Sequence, residues 1–428
     1  MIKRAENARE LALFTLEKME KDASYSNLAF KEQAARSSLP KVEIALAANI
    51  VYGVTAHRIT IDAVLKPFLK GKTAPVVMRI LRCGVYQILY LDRVPNSAAC
   101  NESVKLAGKY AKSAKGFVNA VLRNVIRSGG SIEYPEERNR YLSVQYSYPV
   151  WLVDFWLEQY GDEFCEQLLK GMNCGVPVTL LANTLKGSKG ELIEQLKKEG
   201  VGVEEYGSLL SVGAFDIEHS ESFRKGLFQV IGIPSVSAVS MSGVKPGDRV
   251  LDLCAAPGGK TSAAAIMMQD RGEIVSCDLY EHRRRLIENN CARLGLSCVK
   301  TKTMDGTVFV KEFMEQFDVV LLDVPCSGLG VINKKPDLKY SRPDFEALYD
   351  VQGKLLANAV QYVKPGGTLL YSTCTLNRAE NENRADTALR FGFTIVQRKT
   401  FFPHIDGTEG FFVCQMKKGI CNGAENSG

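Results

Sequence analysis

Residues 250–261, VLDLCAAPGGKT, leave this chain few options. A short apolar run ending on Asp252 has the composition of a strand buried on both faces. Pro257, Gly258 and Gly259 then force a tight turn, and the Ala-rich SAAAIMM after Lys260 and Thr261 suits the first turns of a helix. Strand, glycine turn and helix start in succession build a nucleotide-sized pocket. Glycines let backbone N–H groups approach a ligand, and a helix N-terminus favours negative charge. The string is neither the dinucleotide fingerprint G-x-G-x-x-G nor a P-loop, which needs four residues between Gly and Gly-Lys. Taken alone, it equally describes an ordinary strand-to-helix turn.

The surroundings narrow the choice. From about 241 to 417 strands and helices alternate, as in a parallel sheet covered on both faces. GDRVLDLC, EIVSCDLY, SCVKTKTMD, FDVVLLDVPC and GGTLLYSTC are the expected strands, with FTIVQ and GFFVCQMKK finishing the sheet. In open sheets of this kind ligands bind beyond the carboxyl ends of the strands. Asp278 sits there, 26 residues beyond Asp252, where an acid can accept both ribose hydroxyls. Asp305 follows the third strand; the local sequence alone leaves both as surface acids. Cys326 in DVPCSGLG and Cys374 in YSTCT end adjacent expected strands, so two thiols could face one cleft. Either thiol alone is equally an inert core cysteine.

Residues 1–128 are expected to be helical throughout. ARELALFTLEKM, KVEIALAANIVYGVTAHRITIDAVLKPFL and VVMRILRCGVYQILYLD carry apolar residues at helical spacing, and Pro40, Pro67, Pro75 and Pro95 fall at helix ends. Gly129 and Gly130 close the last helix. This stretch holds 21 Lys/Arg against 10 Asp/Glu in a chain whose net charge is only +6, which points to an anionic partner, nucleic acid first. Lys105, Lys109, Lys112 and Lys115 recur at spacings of three or four, as on one helix face suited to phosphates, or on a merely solvated one. Residues 131–150 form a connector. Trp151 to Lys170 suits an amphipathic helix whose Trp151 and Trp156 belong to the core. Residues 176–232 fit a small α/β subdomain.

Several classes fall away. The twelve cysteines form no C-x-x-C pair, which argues against zinc and a disulfide framework and for a reduced, cytoplasmic chain. No apolar run reaches the ~18 residues of a membrane span, and MIKRAENARE lacks the apolar segment of a signal peptide. No metal, no membrane and a monomer are expected.

The AAPGG core resembles the cofactor loop of S-adenosylmethionine-dependent methyltransferases. Together with DVPCSGLG, KKPDLKY, YSTCT and the Glu380-Asn381-Glu382-Asn383 run, the full string resembles the RNA cytosine-C5 subgroup. RILRCGVYQILYL, VPNSAACNESVKLA and KGFVNAVLRNVIR are similar to a NusB-like RNA-binding domain. That combination resembles the RsmB (Sun/Fmu) family of 16S rRNA cytosine-C5 methyltransferases.

The resemblance implies an all-α NusB-like domain (1–130), a linker helix and small α/β subdomain (131–240), a Rossmann-like class I methyltransferase domain (241–418) and a flexible tail (419–428). It implies S-adenosylmethionine as cofactor, held by Cys254, Ala255, Ala256, Pro257, Gly258, Gly259, Lys260, Asp278, Asp305 and Asp323, with Asp305 toward the adenine amino group. It implies Cys374 as nucleophile, Cys326 in product release, and Asp323 and Lys260 as orienting groups. RNA contacts fall to Lys105, Lys109, Lys112 and Lys115. The implied substrate is 16S rRNA at a cytosine-967 type site; another RNA such as tRNA, or a non-catalytic RNA-binding factor, are the alternatives. Two departures stand out: QVIGIPSVS (229–237) lacks the acid relatives usually carry, and Asn333, Lys334 and Lys335 replace arginines, keeping charge at the two lysines but losing bidentate geometry.

Overall fold

A computed structural model describes residues 4–22, 24–213 and 215–420. The expected tail lies, from residue 421 onward, outside the described residues. The chain divides into two compact units, one of residues 1–173 and 332–342, the other of 174–331 and 343–428.

The first unit is helical. Ala8–Asp22, Lys41–Ala56, Pro75–Tyr90, Asn96–Tyr110 and Lys115–Ser128 are its main helices. Their apolar stripes converge on one core in which Leu11, Ile50, Ile61, Leu65, Ile80 and Leu122 are fully buried. Pro75 occupies the first turn of its helix, and Pro40 and Pro95 immediately precede theirs, positions where a missing N–H costs nothing. Gly129, left-handed, caps the last of the five. The connector contains a further helix, Arg138–Tyr146. The helix expected over 151–170 is two, Val150–Tyr160 and Asp162–Met172, because Gly161 adopts φ +78° between them. Trp156 is fully buried, whereas Trp151 is only partly so.

The segment 332–342 belongs to this helical unit. Its Lys339, 1% exposed, donates to the Ala56 carbonyl at 2.6 Å and lies 4.2 Å from the Tyr148 ring centroid. Tyr340 donates to the Thr55 carbonyl at 2.7 Å beneath the Arg58 guanidinium.

The second unit contains two sheets. β1 (Val178–Ala182), β2 (Val203–Tyr206), β3 (Leu209–Val212) and β4 (Phe228–Val230) pair antiparallel in the order β2-β3-β1-β4. The larger sheet holds β5 (Arg249–Asp252), β6 (Glu273–Asp278), β7 (Val299–Thr303), β8 (Phe317–Asp323), β9 (Val363–Thr373), β10 (Phe393–Phe401) and β11 (Phe411–Lys418). Its order is β10-β11-β9-β8-β5-β6-β7, with β5 to β9 parallel and the last two antiparallel. Both faces are covered, so alternate residues enter opposite cores. Val250, Val319 and Leu321 meet the alanines of helix Gly259–Met267, while Leu251, Val320 and Leu322 meet Leu355, Leu356 and Ala359. The strand order reverses between β5 and β8, the switch point at which such sheets bind ligands.

Candidate active site

The turn after β5 is built by local packing. Gly258 adopts φ +99°, and a Cβ there would approach Ile287 Cγ2 to 3.2 Å, so only glycine lets helix Glu281–Leu294 close over it. Helix Gly259–Met267 follows, its Ala263, Ala264 and Ala265 fully buried against the sheet. The Thr261 hydroxyl bridges Asp252 Oδ2 (2.7 Å) and Ser276 Oγ (2.9 Å), tying this helix to β5 and β6. Asp252 is 1% exposed, and its Oδ1 has no hydrogen-bond partner among the described residues. Burial pushes its carboxyl up to about 7. Sequence alone marked Asp252 only as a strand end.

Beyond the ends of these strands opens a cleft of about 370 Å³. Cys254, Ala256, Asp278, Asp305, Asp323, Cys326 and Cys374 all line it. Ala255, Pro257, Gly258, Gly259 and Lys260 are not among its lining residues; they shape or back the turn. Asp278 accepts from the backbone N–H groups of Ala256 and Tyr280, each at 3.2 Å, with Arg283 Nη1 3.6 Å away. The Thr307 hydroxyl (2.7 Å) and N–H (2.9 Å) hold the Asp305 carboxyl below the usual carboxylate range. Met304, Val351 and Leu355 supply apolar wall, and Arg283 reaches the Ala256 carbonyl at 3.0 Å. These residues carried no pattern that sequence could flag.

The lining chemistry fits S-adenosylmethionine. Three carboxylates suit ribose hydroxyls, an ammonium and a sulfonium, and the apolar wall suits an adenine. A polyphosphate would meet three acids here and only one arginine.

Cys326 and Cys374 approach to 3.3 Å between sulfurs, too far for the ~2.05 Å of a disulfide and close enough for one thiol to share its proton with the other. Interaction with Cys374, then burial, raises the Cys326 thiol well above its ordinary value. Lys260 Nζ lies 2.7 Å from Asp323 Oδ2, and Asp323 Oδ1 accepts from Ser372 at 2.7 Å. Burial opposes the Lys260 charge, but Asp323, seconded by Asp252 and the Cys374 sulfur, outweighs it and raises its pKa.

Glu380, fully buried, braces both thiol loops. It accepts from the Ser327 N–H (2.9 Å) and hydroxyl, from Gln352 (2.9 Å) and from Asn377 (3.0 Å). Asn381 bonds Thr373 and the Thr375 carbonyl on the other side of Cys374. Gln229, in the segment without an acid, instead accepts from Arg293 at 3.0 Å.

The four lysines do not share one helix face. Their first helix ends at Tyr110, where Ala111 leaves helical geometry; Lys112 sits in a 3₁₀ turn and Lys115 opens the next helix. Lys109 is tied to Glu6 and Glu10, and Lys105 to Glu102. Among the described residues no group of His, Cys, Asp and Glu is arranged for a metal, and no single helix is long and apolar enough to cross a membrane.

Comparison with known proteins agrees with this arrangement. The family described as 16S rRNA methyltransferase RsmB/F matches residues 240–417, the NusB family 6–127, and the ferredoxin-like domain of RsmF/B-like methyltransferases 148–211. The chain is 36% identical to the probable ribosomal RNA small subunit methyltransferase B of Bacillus subtilis (strain 168), over 96% of this chain and 99% of that one. Similarity to ribosomal RNA small subunit methyltransferase B of Klebsiella pneumoniae (strain 342) is 31%, covering 90% and 89%. The crystal structure of PH0851 superposes with a TM-score of 0.78 at 26% identity, over 95% of this chain and 97% of that one.

Proposed function

Since the chain belongs to the RsmB/F family of 16S rRNA methyltransferases, we propose that it methylates C5 of a cytosine in 16S rRNA, at a cytosine-967 type site, in the cytoplasm. The observation that carries this reading is the pair of thiols 3.3 Å apart at the edge of a cleft lined by three carboxylates. When bound, S-adenosylmethionine supplies an electrophilic methyl group. Asp278 and Asp305 would hold its ribose and adenine, with the Cys254–Lys260 turn shaping the floor.

Cytosine C5 is too weak a nucleophile to take a methyl group unaided. The Cys374 thiolate adds to C6, forming an S–C6 bond and moving the ring electrons toward C5. After C5 is methylated, its proton passes to water, the C5–H electrons re-form the C5=C6 bond and the S–C6 pair returns to sulfur, restoring aromaticity and the thiolate. The neighbouring Cys374 sulfur and burial raise the Cys326 thiol, in keeping with the roles the motifs imply, Cys374 as nucleophile and Cys326 as the group assisting release. Lys260, held by Asp323, places a positive charge near Cys374 and favours the thiolate. The target base must be unpaired or extruded to enter.

The test is methyl transfer from labelled S-adenosylmethionine to 16S rRNA and to tRNA by the wild type, Cys374→Ala and Cys326→Ala. Cys374→Ala should be inactive, and Cys326→Ala should accumulate a denaturant-resistant protein–RNA adduct. An adduct formed by Cys374→Ala would reverse the two roles. Transfer to tRNA alone would replace the substrate, and no transfer to any RNA would sink the reading.

A further inference from the structure

The helical unit contains a second cavity, of about 190 Å³, built against the 332–342 segment. A cavity of ~150 Å³ takes a benzene-sized ring, so this one has room for a single aromatic base. Leu16, Met19 and Val54 form an apolar wall, and Tyr340 presents a ring whose other partner is the Arg58 guanidinium, 3.7 Å from its centroid.

Three buried polar atoms on residues lining this cavity lack a hydrogen-bond partner among the described residues: Arg79 Nε, Asp337 Oδ2 and Ser24 Oγ. Arg79 is 6% exposed, and its terminal nitrogens are engaged by Glu20 and Glu17, so its geometry is fixed while Nε stays unmet. Asp337 Oδ1 accepts from Ser26, which fixes the carboxylate while Oδ2 stays unmet. An unmet buried donor or acceptor is costly, so the cavity favours a ligand that answers both Arg79 and Asp337.

The balance of charge identifies the ligand. Of the three lining arginines, Arg79 is paired with Glu17 and Glu20, Arg82 with Glu20 and Asp62, and Arg58 is stacked on Tyr340, while the Asp337 carboxylate would repel a phosphate; an acceptor for Arg79 and donors for Asp337 are best supplied by one flat, neutral molecule. We propose that this cavity holds one unpaired guanine of the RNA, its N1–H and amino group toward Asp337 and its O6 or N7 toward Arg79. Guanine is the base whose Watson–Crick edge sets two donors side by side, while its O6 and N7 are the acceptors guanidinium groups read most often. Adenine and cytosine place a ring lone pair beside the amino group, which would face the carboxylate. Unpaired bases stacked on aromatic rings are the usual form of sequence-specific RNA reading. The inference rests on the proposed RNA substrate and names a base it would recognise away from the thiols.

The test is fluorescence anisotropy of the full chain with labelled RNA pentamers AAGAA, AAIAA (I, inosine), AACAA and AAAAA. The guanosine arm is independent of the catalytic cleft, which takes cytosine on the reading above. Wild type should bind AAGAA about tenfold more tightly than AAAAA, within the ~1–3 kcal/mol of a good base contact, and inosine should lose most of that preference. Asp337→Asn keeps the Ser26 acceptor and should bring AAGAA to within about twofold of AAAAA. Met19→Trp, which fills the cavity from its apolar wall, should abolish the preference without changing AAAAA binding; thermal melting checks that both variants fold. Equal binding of all pentamers by wild type, no measurable binding of AAGAA, or a preference surviving in both variants overturns the proposal. Methyl transfer to 16S rRNA by the wild type reports separately on the enzyme: transfer without guanine discrimination removes this inference alone.

Discussion

Lys339 is a fully buried amine with no carboxylate partner among the described residues. It is held by one carbonyl and the Tyr148 ring, and burial, with Arg58 adding repulsion, lowers its pKa to about 7. Its folded value therefore lies below the unfolded one, near 10.4. The unfolded chain binds the extra proton between these limits, so stability of the helical unit should rise from pH 7 toward pH 10 and fall as pH drops through 7. Thermal melts at pH 7, 8 and 9 should show this, and Lys339→Met should flatten the slope; an unchanged slope in the variant would place the titration elsewhere. Asp323 governs the opposite case, since its carboxylate overcomes the burial that would otherwise discharge Lys260. Asp323→Asn should lower kcat by about 10²–10³-fold, the range for removing one group that stabilises charge at a reacting centre. The alkaline limb of its pH–rate profile should also move to lower pH as Lys260 loses its charge earlier.

At the level of elements, two loops from distant parts of the sequence are joined through one glycine. Gly330 donates its N–H to the Cys374 carbonyl at 3.0 Å, and its carbonyl accepts from the Gly410 N–H at 2.7 Å. A Cβ on Gly330 would collide with both the Gly410 and Cys374 backbones. Gly330→Ala should cost about 1–3 kcal/mol through overpacking. It should depress kcat more than the KM for S-adenosylmethionine, as steady-state kinetics with labelled cofactor would reveal. The strands, the glycine turn and both thiol motifs were legible because each is a contiguous string with its own chemistry. The Gly330 link was not, because it joins three strings by backbone alone. The lysine face misled for a related reason: Lys, Ala and Ser around Ala111 all tolerate helix, so spacing continued smoothly across a break that tertiary packing imposes. Glu380 could be quoted as part of a motif, but its role as a buried brace required the positions of Ser327, Gln352 and Asn377.

At the scale of the whole molecule, residues numbered within the methyltransferase stretch belong to the helical unit. Nothing in KKPDLKY announces this, since a short loop of Lys, Pro and Asp looks like solvent-exposed chain. Tyr340→Ala removes a ring and a 2.7 Å hydrogen bond to the Thr55 carbonyl, and should cost the helical unit about 3 kcal/mol. Hydrogen exchange should then speed up in Lys41–Ala56 and Arg58–Leu65 rather than in the large sheet. The same arrangement bears on synthesis at the ribosome. The first 173 residues leave the exit tunnel without the segment that packs on Thr55, Ala56 and Tyr148, which is made roughly ten to thirty seconds later at ~5–20 residues per second. Throughout that interval the nascent helical bundle carries an open seam beside Ala56 and Tyr148, and it closes only after β8 and the Cys326 loop have been translated.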